Sequence, residues 1–504
     1  MDTAAGVSAE PPAPAPSHSL SGVGVRVLQN TAALLGGRGV SLVLSAATSI
    51  LLARFLGPEQ MGQYGAIYAY LSLYSWLSTA ALDQILAREV SVRRAQAAHI
   101  FFHGTLIGLF FAVLGSALAC GLGPLFGYHG VMRWLIAVAA LDLMILSPLK
   151  QPGIIFQVDM RQWIPVGISL ARQVLWLAAL CLLALRSAAF YQVIVTRTLC
   201  GVLEAAAVIY FVRRCGVLNF LQKLHWNEIQ QLLRFALPMA LSAVAGSLFL
   251  RIDQVMLHKM SGDRMLGPYV VAVQLTEQFG ALPVALISSL FPVLAQAAGQ
   301  EPLFRHYLGV SYRFLMATVF FACAVVTPIT APLVSLLYGK QFLSSASLIN
   351  ILVWSEAPLF LGVALTNALV AKNLQRYLPY STAVGAVLNI GLNLVFIPRW
   401  GALGASWATL ISYCVAAVLF YLVFGPARGV TLQGLRIAGP PLALSLAIAA
   451  ALRYMPLHFL LKFFIGALLY LAGAWMTGTI RRSELERLRE LFRGALLMFR
   501  PEPP

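Results

Sequence analysis

Residues 57–64 read Gly57-Pro58-Glu59-Gln60-Met61-Gly62-Gln63-Tyr64, and about 205 positions on, residues 262–269 read Gly262-Asp263-Arg264-Met265-Leu266-Gly267-Pro268-Tyr269. Gly57, Gly62 and Tyr64 thus return in register as Gly262, Gly267 and Tyr269. The echo continues further along: Phe126-Gly127 matches Tyr338-Gly339, and Arg186 matches Arg399, at displacements of about 205 to 213. A single match is within the reach of chance. Three at nearly one displacement indicate a duplicated unit.

Outward from the repeat, the composition says where that unit sits. The 504 residues are 60% hydrophobic and 11% charged, against roughly 25% charged in a soluble domain. Eighteen Asp and Glu with 35 Lys and Arg cannot clothe a water-exposed surface of this size, so the chain reads as a membrane protein. Apolar runs are centred near residues 41, 75, 110, 140, 174, 200, 245, 283, 319, 358, 386, 413, 443 and 467. Each is long enough for a helix of about 20 residues to cross a bilayer. The expected fold is therefore all-α and polytopic, with about 14 transmembrane helices. Six helices separate the two copies, so both start on the same side of the membrane. They form parallel halves related by an axis along the membrane normal: two six-helix lobes around a central cavity, with two extra C-terminal helices outside the repeat.

The boundaries follow. Residues 1–25, rich in Pro, Ala, Ser and Gly, read as a disordered cytoplasmic tail rather than a signal peptide. The first lobe is expected at 26–213, a cytoplasmic linker at 214–230, the second lobe at 231–425 and the extra helices at 434–479. In 480–504, Leu485, Leu488, Phe492, Leu496 and Phe499 recur at helical spacing with Arg487, Arg489 and Arg493 between them. That pattern suits an amphipathic helix on the inner leaflet. Orientation comes from the basic residues. With both ends inside, 21 of the 35 Lys and Arg lie in inner segments and eight in outer loops.

Several functions are excluded. The basic residues are scattered between apolar runs, with no aromatic-interleaved patch for nucleic acid. The six cysteines lie singly, so neither disulfide nor metal roles are expected. No Gly-rich phosphate loop ending in Lys-Ser/Thr occurs, which argues against ATP drive. The eight histidines read as dispersed, and no metal site is expected. Without large polar loops to hold a donor substrate, an enzyme is not expected either.

What remains is the small set of charges inside apolar runs. A charge at the bilayer centre costs about 2.5–3.5 kcal/mol even on the lenient insertion scale. Arg38, Asp142, Arg172, Arg197, Glu204, Arg251, Asp253, Glu277, Arg313 and Glu356 all fall in such runs. They imply a hydrated cavity, pairing inside the bundle, or both. Arg251 and Asp253, two residues apart, point about 200° from one another; one can face a cavity while the other ties its helix to neighbours. Gln274, Glu277 and Gln278 stand at i, i+3 and i+4, a stripe that the carboxylate tips toward the cavity. Gly385, Asn389 and Asn393, at i, i+4 and i+8, read instead as interhelical packing.

The stretch Arg251-Ile252-Asp253-Gln254-Val255-Met256-Leu257, then Gly262, Gly267, Tyr269, Pro283 and Ser288-Ser289-Leu290-Phe291-Pro292, resembles polysaccharide flippases of the Wzx type in the multidrug/oligosaccharidyl-lipid/polysaccharide exporter superfamily. Residues 53–64 and Trp400-Gly401-Ala402-Leu403-Gly404-Ala405-Ser406-Trp407-Ala408-Thr409 agree, in the order the family has them. The resemblance implies a flippase working by alternating access. Its cargo would be an undecaprenyl-diphosphate-linked oligosaccharide, crossing a bacterial inner membrane for exopolysaccharide, capsule or O-antigen. Its partners would be the lipid-linked oligosaccharide, membrane lipids and the polysaccharide polymerase or chain-length machinery, with no nucleic acid. It assigns Arg38, Arg172, Arg197, Arg251 and Arg313 to a cationic cavity, since buried guanidiniums replace the hydration of a diphosphate. Asp142, Glu204, Asp253, Glu277 and Glu356 become coupling or cavity acids, with Gln254, Gln274 and Gln278 as further polar lining. No cofactor is expected beyond a coupling ion, H+ or Na+. Many members have 12 helices and the lipid II flippases 14, so lipid II flipping stays open, as does drug antiport.

Overall fold

Glycines in the left-handed region open both copies of the repeat. In a computed structural model of the chain, which describes residues 20–78, 82–216, 223–423 and 425–479, Gly57 has φ 70° and ψ 176° and Gly262 has φ 79° and ψ 172°. A Cβ is strained at such a φ, and each glycine turns the chain from one membrane pass into the next.

The first lobe is built from α1 (Leu20–Ser75), kinked at Gly57, α2 (Leu82–Val92), α3 (Ala97–Leu122) and α4 (Val131–Ala140). A π-helical turn over Leu141–Ile145 leads into α5 (Leu146–Lys150) and α6 (Ile155–Val158), followed by α7 (Trp163–Leu185) and α8 (Phe190–Arg214). The second lobe repeats the plan with α9 (Trp226–Ser261), α10 (Asp263–Glu277), α11 (Ala281–Gln296), α12 (Glu301–Val326), α13 (Thr330–Tyr338), α14 (Ser345–Ala371), α15 (Leu378–Trp400), α16 (Ala402–Cys414) and α17 (Phe420–Val423). Two further helices, α18 (Gly425–Tyr454) and α19 (Phe459–Met476), pack on α12. The described residues contain no strand, as expected of a chain whose backbone must satisfy itself in lipid.

Among the described residues, 11 helices are long and apolar enough to cross a membrane. The expected runs near 41 and 75 share the kinked α1, and those near 245 and 283 fall on α9 and α11, outside the 11. Helix begins at Leu20, inside the stretch expected as a tail, and α9 begins at Trp226, inside the expected linker. Residues 1–19 and the amphipathic tail expected at 480–504 lie outside the described residues.

The lobes meet through the repeated segment itself. A Cβ on Gly62 would collide with the carbonyl oxygen of Asp263, and one on Gly267 with that of Pro58. Pro58 and Asp263 are equivalent positions, so each copy offers the other the same contact, as in an isologous dimer interface. The charges obey the same symmetry. Arg54 Nε donates to Leu337 O at 2.7 Å, and Lys259 Nζ, the residue equivalent to Arg54, donates to Leu125 O at 2.6 Å. Both acceptors are carbonyls at the end of a helical segment, where the backbone leaves oxygens unpaired. These contacts seal the bundle at the end away from the linker. One continuous core runs through the seal, from Leu52 and Tyr70 in the first lobe to Tyr269 and Val334 in the second.

Candidate functional site

Between the seal and the linker end, the two lobes enclose a cavity of about 530 Å³. The first pass of α1 supplies hydroxyls at helical spacing: Ser41, Ser45, Thr48 and Ser49. Tyr64 and Tyr68 follow after the kink, and α7 and α8 contribute Arg172, Gln173 and Arg197. The second lobe faces them with Arg251 and Gln254 on α9 and with Gln274, Glu277 and Gln278 at the end of α10. Ser49 Oγ donates to Gln274 Oε1 at 2.7 Å, a direct bond across the cavity between lobes.

The first-lobe wall is an alternating chain of charge. Asp142 Oδ2 lies 3.5 Å from Arg172 Nη2 and 3.5 Å from Arg197 Nε. Glu204 Oε2 lies 3.6 Å from Arg172 Nε and 2.9 Å from Lys150 Nζ. Three cations thus share two carboxylates, and the group keeps one net positive charge. Asp142 reaches its place because it sits in the π turn and because α8 carries Gly201 opposite, where a Cβ would strike the carboxylate. Extra-residue turns of this kind recur at functional sites. Arg197 is held further by Tyr64, whose hydroxyl accepts from its Nη1, and by the ring of Tyr68, 3.9 Å below its guanidinium in a cation–π contact.

On the opposite wall, Arg251 and Glu277 pair in two-point fashion, at 2.9 and 3.2 Å, the strong geometry for a guanidinium and a carboxylate. Asp253 turns away from the cavity. It is buried, accepts the hydroxyl of Tyr269 and the N–H of Gln254 at 2.7 Å, and so ties α9 to α10. The Tyr269 oxygen is 3.4 Å from Thr409 Oγ1 on α16. The repeated tyrosines therefore serve opposite charges: Tyr64 a cation in the first lobe, Tyr269 an anion in the second.

Placement sorts the residues expected from sequence. Arg172, Arg197, Arg251, Glu277, Gln254, Gln274 and Gln278 come together on the cavity wall. Arg38 is exposed on α1 and does not line the cavity. Arg313, on α12, does not line it either, because its helix packs in the second lobe against α14 and α18. The acids do not form a separate set: Asp142, Glu204 and Glu277 are ion-pair partners of the arginines. Asp253 and Glu356 are buried off the wall, and Glu356 Oε2 has no hydrogen-bond partner among the described residues. Asn389 and Asn393 bond to each other at 2.8 Å inside α15, and Gly385 abuts Phe249 of α9, which makes that stripe a packing surface. Sequence reasoning passed over Lys150, which pairs with Glu204, and the Ser41–Ser45–Thr48–Ser49 stripe, although the spacing of the stripe is legible.

Comparison with known proteins places this geometry. Residues 51–347, more than half of the chain, match the family model described as polysaccharide biosynthesis protein. A stretch of 201 residues is 21% identical to the probable low-salt glycan biosynthesis flippase Agl15 of Haloferax volcanii; it covers 40% of this chain and 43% of that protein's length. The fold is similar to that of the lipid II flippase MurJ in an inward closed conformation, with a TM-score of 0.70 and 13% identity, over 88% of this chain and 98% of that one. It is similar also to an inward-facing multidrug resistance MATE family transporter of the MOP superfamily, with a TM-score of 0.60 and 13% identity, over 82% of this chain and 96% of that one. These relatives are flippases and transporters, not enzymes. At such identities the likeness to solved structures concerns the fold, a two-lobed membrane bundle with a cavity between the lobes. It is the family model, matched across the first lobe, the linker and the seal into α14, that identifies the chain as a member of the polysaccharide biosynthesis protein family.

Proposed function

We propose that the protein is a flippase that moves a lipid-linked oligosaccharide across the membrane by alternating access, and that its cargo carries a diphosphate. The observation that carries this reading is the placement of Arg172, Arg197 and Arg251 on facing walls of one interlobe cavity. A diphosphate must shed water to cross, and guanidiniums with adjacent hydroxyls and amides can replace that hydration. The Nε of Arg172 is buried without a hydrogen bond among the described residues, a donor still to be satisfied. An undecaprenyl-diphosphate oligosaccharide in a bacterial inner membrane, with fourteen passes, both termini cytoplasmic and the sealed end facing outward, is the form of this proposal we favour. Asp253 and Glu356, buried acids off the cavity wall, are the groups we assign to coupling with H+ or Na+.

Arg172→Ala combined with Arg251→Ala is expected to lower surface glycan at least tenfold while the protein stays at its normal level in the membrane. A charge-assisted hydrogen bond is worth about 1.5–3 kcal/mol, so two lost contacts suffice. Undiminished export by the double variant would overturn the cavity assignment. Because the fold is also that of a lipid II flippase, the same variants belong in a peptidoglycan assay: loss of lipid II export with intact surface glycan would select that cargo instead.

A further inference from the structure

Another cluster of ligating side chains lies outside the cavity, at the linker end. His99 and His103 stand at i and i+4 on α3 and therefore share one face; His225 is the residue just before α9. The three offer ring nitrogens that all lie within 4.8 Å of one another. Ring centroids are 4.3 Å apart for His99 and His103 and 4.8 Å for His99 and His225. Reading the eight histidines as dispersed missed both the i, i+4 pair and a third ligand more than a hundred residues away.

We propose that His99, His103 and His225 bind a divalent transition metal of the zinc class, which ties the first lobe to the start of the second. The hydrogen bonds preset the ligands. His103 Nδ1 lies 2.8 Å from His99 O, and His225 Nδ1 lies 2.8 Å from Lys223 O. A carbonyl only accepts, so both Nδ1 atoms carry the proton and both Nε2 atoms keep a lone pair. Metal-binding histidines are oriented in this way, with the second nitrogen anchored to a carbonyl or carboxylate. Nε2 of His103 now accepts the N–H of His225 at 2.9 Å; a metal takes that lone pair, and the amide, at an exposed residue, turns to water.

Zinc–nitrogen bonds of about 2.0–2.1 Å in a tetrahedral site ask the nitrogens to close by roughly 1 Å each, which rotation of the exposed His225 and half-buried His99 supplies. Three imidazoles with no carboxylate favour zinc, nickel or copper over magnesium or calcium. The nearby acids are engaged: Arg93 pairs with Glu89 at 2.8 Å and with Glu228, in the first turn of α9, at 2.7 Å. Arg88 over the ring of Phe235, at 5.6 Å, joins the same elements. A metal here therefore reinforces an existing junction between α2–α3 and α9, where the lobes must part if that end opens.

The test uses the tag-free full chain in detergent. Calorimetric titration with Zn2+ should show one equivalent bound, and the same Zn2+ should raise the melting temperature. His225→Ala and His99→Ala should each weaken binding at least tenfold and remove the thermal shift, whereas His306→Ala, at an exposed position on α12, should change neither. His103 is left intact because it is buried, and metal-free melting temperatures equal to wild type establish that the variants fold. Mg2+ should not bind. Absence of zinc binding by the wild type, or binding that survives both His99→Ala and His225→Ala, overturns the proposal.

Discussion

Asp142 is the residue on which the first-lobe wall turns, since its carboxylate lies 3.5 Å from both Arg172 and Arg197 and is the acid that the two arginines share. Its position depends on an absence: Gly201 leaves the space its carboxylate fills. Gly201→Ala should push the carboxylate off Arg172 and Arg197. The cost is in the range of about 1–3 kcal/mol typical of overpacking, read as a lower melting temperature in detergent. The same variant should lose export more than an alanine placed at the exposed Leu199 of the same helix, and equal behaviour of the two would count against the charge chain. At this scale the sequence was partly legible. The i, i+3, i+4 stripe of Gln274, Glu277 and Gln278 found the cavity because helical spacing fixes a common face. Arg38 and Arg313 did not, because hydropathy shows that a charge lies within an apolar run but not which side of the helix carries it.

Among the elements, α1 and α10 set the geometry of the lobe contact. Gly62 and Gly267 allow the two helices to approach until backbone meets backbone, and a backbone carbonyl has no rotamer with which to give way. Gly267→Val should therefore keep the sealed end from closing. Cysteines placed at Arg54 and Leu337, in a chain stripped of its six native cysteines, should be joined readily by a short bifunctional thiol reagent in the parent and at least tenfold less in the Gly267→Val background. Unchanged crosslinking would show that the approach of these helices is not what brings Arg54 to α13. The repeat itself was legible from Gly57, Gly62 and Tyr64. That Arg54 and Lys259 are its equivalent locking residues was not, because their acceptors are main-chain oxygens of the opposite lobe, which carry no side-chain signature.

For the whole molecule, the two ends of the bundle are held by different physics: shape and basic side chains bonded to main-chain oxygens at the sealed end, ion pairs between side chains at the linker end. There, the hydrogen bond from Arg93 holds the Glu228 carboxyl below its usual range, with burial opposing it. A carboxylate with a lowered value in the folded state contributes stability that is full above the ordinary carboxylate range and is lost as pH falls through the lowered value. For a partly exposed pair this amounts to about 0.5–1 kcal/mol. Glu228→Gln should therefore melt below wild type at pH 7, and the gap should narrow on acidification toward pH 4; a gap independent of pH would remove the pair from the junction.

What the sequence determined by itself was the class of solution. A bilayer leaves helices as the way for such apolar runs to satisfy their backbones, and a duplicated segment in register demands two like lobes. Only the tertiary structure decided which charges meet. Asp142 with Arg172 and Arg197, Glu277 with Arg251, Asp253 with Tyr269, and His225 with His99 and His103 are contacts fixed by how helices rotate and approach. That choice rests on close packing between segments far apart in the chain, about which local periodicity carries no information.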